Sequence, residues 1–92
     1  MQLGRVIGSV VSTRKDERMR GHKLLIVEPL NSSRDGELVP GASGFLVSAD
    51  LVDAGKGDVV LLVGGSTAKT AIADPNVPID ACIIGIVDSV DL

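Results

Sequence analysis

Aromatic residues are almost missing from this 92-residue chain: Phe45 stands alone, with no Trp or Tyr, and aromatics make up 1% of the composition. A core built without rings must come from Val, Ile, Leu and Ala, which bury less area per residue. The same shortage argues against binding single-stranded nucleic acid, where bases stack on aromatic side chains in a positive groove. Positive charge is also scarce. Nine Lys and Arg against twelve Asp and Glu leave a net charge of −3, with a pI of about 4.9, so no global field draws nucleic acid or anionic lipid. Cysteine is reduced to Cys82, which excludes an internal disulfide and fits a reducing cytosol. Within Ala81-Cys-Ile-Ile84 it reads as a packed core thiol. Histidine is reduced to His22, without a second His or Cys at ligand spacing, so no metal site is expected. The apolar runs are too short for a membrane span, and Met1 to Arg5 shows no secretory pattern.

What is present is a short aliphatic chain, 45% hydrophobic and rich in glycine. Residues 1–92 read as one domain near the lower end of independent stability. Such a chain often gains its missing burial by oligomerising.

The organising stretch runs from Val47 to Lys69. Val59 to Val63 is an unbroken β-branched and leucine run, the pattern of a strand buried on both faces. Before it, Gly55 and Gly57 bracket Lys56 and supply the backbone freedom of a tight turn. After it, Gly64-Gly65 breaks the strand, and Ser66 is placed to cap a short helix through Ala68, Lys69 and Ala71. Asp74-Pro75 is expected to end that helix. Upstream, Leu3 to Thr13 reads as a first strand, with Gly4 and Gly8 suited to a bend or a close backbone approach. Arg14 to His22 is charged and without apolar period, an exposed hairpin loop. Lys23 to Val27 is a second strand closed by Glu28-Pro29, and Asn31 to Gly44 a long turn region. Phe45 to Val47 starts a third strand. Cys82 to Val87 is the last, with Gly85 as a candidate bulge. About five short strands, one short helix and glycine bends predict an all-β fold, a small OB-like five-stranded barrel with one short helix. A β-sandwich is the alternative.

No catalytic constellation can be assembled. Gly55-x-Gly57 lacks the third glycine of a dinucleotide fingerprint and lies between strands. Gly64 to Thr70 lacks the glycine–lysine spacing of a phosphate loop, although a helix start can hold an anion weakly. Asp50, Asp53, Asp58, Asp80 and Asp88 are scattered over turns and strand ends, where carboxylates serve as caps and turn formers. No cofactor is expected.

The motifs nevertheless form a family pattern. Met1, Leu3, Val6, Gly8, Val10 and Thr13 open it, followed by Gly21-x-Lys23-Leu24-Leu25-x-Val27. Ala49-Asp50-x-Val52-x-Ala54-Gly55-x-Gly57-Asp58-x-Val60-Leu61 continues it, with Gly65-Ser66-x-Ala68-Lys69 and Pro78-Ile79-Asp80-Ala81-x-Ile83-Ile84-Gly85-Ile86-Val87-Asp88. In this order, over nearly the whole chain, they resemble the EutN/CcmL family of bacterial microcompartment shell vertex proteins. The resemblance implies an OB-like barrel, a structural role without catalysis, a cyclic pentamer in the shell, hexameric shell proteins as partners and a cytoplasmic location. By matching motif, the subunit interface and a central opening are expected around Asp50, Asp53, Ala54, Gly55, Lys56, Gly57 and Asp58, together with Gly65, Ser66 and Lys69. An acidic side chain at Ala54 is then expected to block assembly while leaving the barrel folded. Two positions depart from the family pattern: Asp53 stands where glycine is usual, and Lys69 where arginine is common. The chain also ends soon after the last family strand, which is expected to weaken subunit contacts in isolation. The alternative function is a small cytosolic ligand- or protein-binding barrel, an adaptor with no shell role.

Overall fold

The computed structural model describes residues 1–12, 16–42, 44–73, 76 and 78–91. Six strands and one helix follow in order: β1 (Gln2–Val10), β2 (Lys23–Ser32), β3 (Leu38–Pro40), β4 (Leu46–Asp50), β5 (Val59–Gly64), α1 (Gly65–Ile72) and β6 (Ala81–Ile86). Five of the strands close a barrel in the order β1-β5-β6-β4-β2, with β2 pairing back onto β1. Closure of one sheet on itself rules out the sandwich. All pairings are antiparallel except β4–β6, a parallel ladder of two residue pairs, Ala49 with Cys82 and Asp50 with Ile83.

The barrel interior holds Val6, Leu25, Val27, Ala54, Val60, Leu62 and Ile83, with Leu46 and Val52 packed against them. Alternation explains the choice: Val60 and Leu62 point inward while Val59 and Leu61 are half exposed. Burial on both faces, expected of all Val59 to Val63, holds only at Val63, where α1 covers the strand. There Val63, Ala68 and Cys82 form a second cluster that includes Ile72 and Ile84. Ile72 also joins a third cluster with Ala49, Ile79, Met19 and Leu24, so one side chain of α1 packs against both clusters. Cys82 is fully buried in this packing, and burial raises its thiol pKa. It is the core thiol expected.

Closing so small a barrel needs one close approach and two irregularities. A Cβ on Gly4 would stand 2.5 Å from Val27 Cγ1 and 2.8 Å from Leu62 Cδ1, so only hydrogen fits there. The β1–β2 register skips Ile7, and the β5–β6 register skips Ile84, beside Gly85. Each extra residue bends its strand, which barrels require.

Several expectations need correction. β1 stops at Val10, short of Thr13, which lies outside the described residues. β2 does not close at Glu28-Pro29 but continues to Ser32, and the supposed long turn contains β3, which pairs Leu38 to Pro40 with Ser32 to Leu30. Pro29 is tolerated because β4 pairs with β2 only as far as Val27 and β3 begins at Leu30. The Pro29 carbonyl points into this gap, where it accepts from Gly41 N–H at 2.8 Å. By backbone alternation its missing N–H faces the same gap, so no ladder bond is lost. Between Arg14 and His22, the described part is mostly exposed as expected, but Met19 and His22 are half-buried, Met19 packs against the Ala49–Ile79 cluster, and a 3₁₀ turn runs over Glu17–Met19. The helix starts one residue before Ser66, and its N-cap is Gly64, with no side-chain cap bond. Gly65 N–H instead donates to Asp80 C=O at 2.8 Å. Ala73, in the left-handed region at φ 62°, ends the helix; Asp74 and Pro75, expected to do so, lie outside the described residues.

Candidate assembly surface

The loop from Asp50 to Asp58 is built by its own carboxylates. Asp50, at the end of β4, accepts from Val52 N–H at Oδ1 (3.1 Å) and from Ala54 N–H at Oδ2 (2.8 Å), and its side chain is fully buried. This local bonding bends the chain back over the barrel and drives Ala54, itself 0% exposed, into the core. Asp58 closes the second turn: its Oδ2 accepts from Gly55 N–H at 2.8 Å, and its N–H donates to Gly55 C=O at 3.0 Å. Gly57 stands at φ 94°, which this turn requires of glycine. The loop is then stitched to β1, since Gly57 N–H donates to Val6 C=O (2.8 Å) and Val6 N–H to Asp58 C=O (2.9 Å). Asp50 and Asp58 are the turn formers that their positions suggested.

One cation ties the loop to β2. Lys23 Nζ donates to Ala54 C=O at 2.8 Å and to Asp53 Oδ1 at 3.2 Å, and lies 3.5 Å from Asp50 Oδ2. The bond to Asp53 is the main reason that the Lys23 pKa is raised above its ordinary value. Lys23 was not among the expected site residues. Its sequence signal, a lone cation opening an apolar strand, does not say which carboxylate it meets. The register does, placing Lys23 opposite Asp50.

The structure separates the ten expected site residues by position and by burial. Residues 50–58 precede β5 and residues 65–69 follow it, so the two segments sit at opposite ends of a strand about 17 Å long. Asp53, Gly55, Lys56, Gly57, Gly65 and Ser66 are exposed, and Asp58 and Lys69 are half-buried. Asp50 and Ala54 face inward. A glutamate at Ala54 would therefore meet the barrel core, which overturns the expectation that it leaves the barrel folded. The start of α1 has its first amide committed to Asp80, and the Asp50 and Asp58 carboxylates accept from backbone N–H groups. The arrangement is one of turns and surfaces.

A family model described as ethanolamine utilisation protein EutN/carboxysome matches residues 1–88. The chain belongs to the EutN/CcmL family. The bacterial microcompartment shell vertex protein PduN of Salmonella typhimurium is 48% identical over 90 residues, covering 97% of each chain. The carboxysome shell vertex protein CcmL of Thermosynechococcus vestitus is 39% identical over 90 residues, covering 98% of this chain and 86% of its own. Among solved structures, the pentameric microcompartment shell protein GrpN of Rhodospirillum rubrum superposes with a TM-score of 0.85 at 42% identity. That alignment covers 100% of this chain and 99% of GrpN. This EutN/CcmL chain thus shares the fold of GrpN and, along nearly its whole length, matches vertex proteins of two kinds of shell.

Proposed function

We propose that this protein is a structural shell protein that caps the vertices of a bacterial microcompartment as a cyclic homopentamer, without catalysis. The observation that carries the reading is the end-to-end superposition of its barrel on the pentameric shell protein GrpN. The geometric need is simple. A flat sheet tiled by six-fold units closes into a shell only where five-fold units occupy its corners, so hexameric shell proteins are the partners that flank it.

The seam between subunits falls on Asp53, Gly55, Lys56, Gly57 and Asp58 of one subunit and Gly65, Ser66 and Lys69 of the next, with Asp50 and Ala54 shaping the loop from inside. A head-to-tail ring joins two different patches of each chain. The placement of these segments at opposite ends of β5 supports that reading. Beside the loop, a recess of about 270 Å³ walled by Gly8, Ser9, Lys23, Leu25 and residues 54–56 can receive a neighbouring side chain.

Light scattering on a sizing column tests the ring. Five chains of 9.5 kDa give 47.5 kDa, against 9.5 kDa for a free barrel. The expected result is the pentamer mass and five-fold particles in negative-stain images. A monomer at every concentration, alone and with hexameric shell proteins present, would overturn the proposal. The exchange Lys56→Glu, which reverses charge at an exposed position, tests the seam: the ring mass should fall while the barrel's circular dichroism stays unchanged.

A further inference from the structure

One ammonium group holds three acceptors of a single loop, and the three are not equivalent. Asp50 is fully buried and already satisfied by two backbone N–H groups, and Ala54 lies in the barrel core. Those two contacts belong to folding. Asp53 does not: its side chain is 97% exposed, and its backbone stands at φ 57°, a left-handed conformation that glycine, asparagine and aspartate adopt more readily than other residues. The polar contact of its side chain, among the described residues, is Lys23 at 3.2 Å. A solvent-facing residue tied to a strand by one ion pair adds little to the core; the pair steadies the Asp53 corner of a loop whose ends are held by the Asp50 and Gly57–Val6 bonds.

We infer that the Lys23–Asp53 pair is a positioning latch for the assembly loop, setting how firmly neighbouring subunits hold each other. The inference rests on the seam reading above. Exposed ion pairs contribute little to folding, but in a ring each leaving subunit must break two seams, so a small loosening acts twice. The pair is also open to solvent, so salt screens it.

The test is subunit exchange between isotope-labelled and unlabelled rings, followed by native mass spectrometry, for the full chain and for Asp53→Asn. Asparagine tolerates the left-handed backbone and removes only the charge. If each seam loosens about twofold, exchange at about 50 mM salt should run about fourfold faster than in the unaltered chain. Raising salt to about 500 mM should narrow the gap between the unaltered chain and the variant. Thermal midpoints should shift by only a few degrees, because the barrel core is untouched and an exposed pair contributes little to folding. Equal exchange rates at both salt concentrations would overturn the latch, as would a fall of about 10 °C or more in the variant's thermal midpoint, which marks a folding role. Lys56→Glu separates the two levels. A ring that survives that change removes the loop from the seam and the latch with it. A ring broken by Lys56→Glu but indifferent to Asp53→Asn refutes the latch alone.

Discussion

Gly4→Ala puts the barrel's tightest contact on trial. Gly4 is buried in β1 between Pro29 of β2 and Val60 of β5. The added methyl would lie 2.5 Å from Val27 Cγ1, 2.8 Å from Leu62 Cδ1 and 3.3 Å from Glu28 O. Ordinary carbon contacts are about 3.5–4.0 Å, so two neighbours must each give by about 1 Å. Neither has room, since Val27 and Leu62 are 0% and 1% exposed, and the branched Val27 side chain is stiff about χ1. Overpacking of this kind costs about 1–3 kcal/mol, and a double clash belongs at the upper end. Replacing glycine stiffens the unfolded chain and returns about 0.4–1 kcal/mol, leaving a net loss of about 2 kcal/mol. For a domain of this size, about 4–8 °C per kcal/mol places the thermal midpoint roughly 8–16 °C lower. Circular dichroism at fixed protomer concentration is the right assay, because ring formation makes stability depend on concentration. Adding Val27→Ala opens the space, so the two changes together should cost clearly less than the sum of each alone. A Gly4→Ala chain within about 0.5 kcal/mol of the original, or one whose loss is strictly additive with Val27→Ala, would refute the packing argument.

Other outcomes follow from the same geometry. Ala54→Glu should unfold the barrel by several kcal/mol, seen as loss of the circular dichroism spectrum, because it forces a carboxylate into the apolar interior. Cys82 should resist aqueous alkylating reagents in the folded chain and react at once in denaturant, since burial both shields the thiol and raises its pKa. The Lys23 pKa is raised in the folded state above its ordinary 10.5, so its stabilisation is full below that value and fades as pH climbs through the raised one. Alkaline titration should therefore loosen the protein, and Asp53→Asn, which removes the main cause of the raised pKa, should shrink that pH-dependent loss.

The sequence reads well where side chains choose their own environment. The β-branched runs at Val59 to Val63 and Cys82 to Val87 marked strands, Gly4 marked a close approach, and the strand count led to the barrel. It reads poorly where pairing decides. Leu38 to Pro40 has no strand signal amid glycine, serine and aspartate, and becomes β3 only because β2 runs past its β4 partner. Pro29 looked like a terminator because no sequence rule shows that its missing donor faces a gap. The same holds for the site. Turn chemistry made the Asp50 to Asp58 loop visible, yet Ala54 looked like a surface position until Asp50 was seen to fold it inward. Lys23 gained its role from a register that only the assembled sheet supplies.

The two-pair ladder between β4 and β6 is the shortest stretch of hydrogen bonding in the barrel wall, and α1 packs beside it, over β5 and β6. Antiparallel neighbours elsewhere in the wall share four to seven residue pairs, so spontaneous opening of the native state should begin at this joint. Ile72, packed against both clusters, makes α1 a splint beside it. In amide hydrogen exchange, Leu51 N–H, which bonds Ile83 C=O across the joint at 3.2 Å, should then be released in step with fraying of the last helical turn. The other ladders would keep the slower rate of whole-barrel unfolding. A helix of eight residues would thus govern how often the barrel breathes.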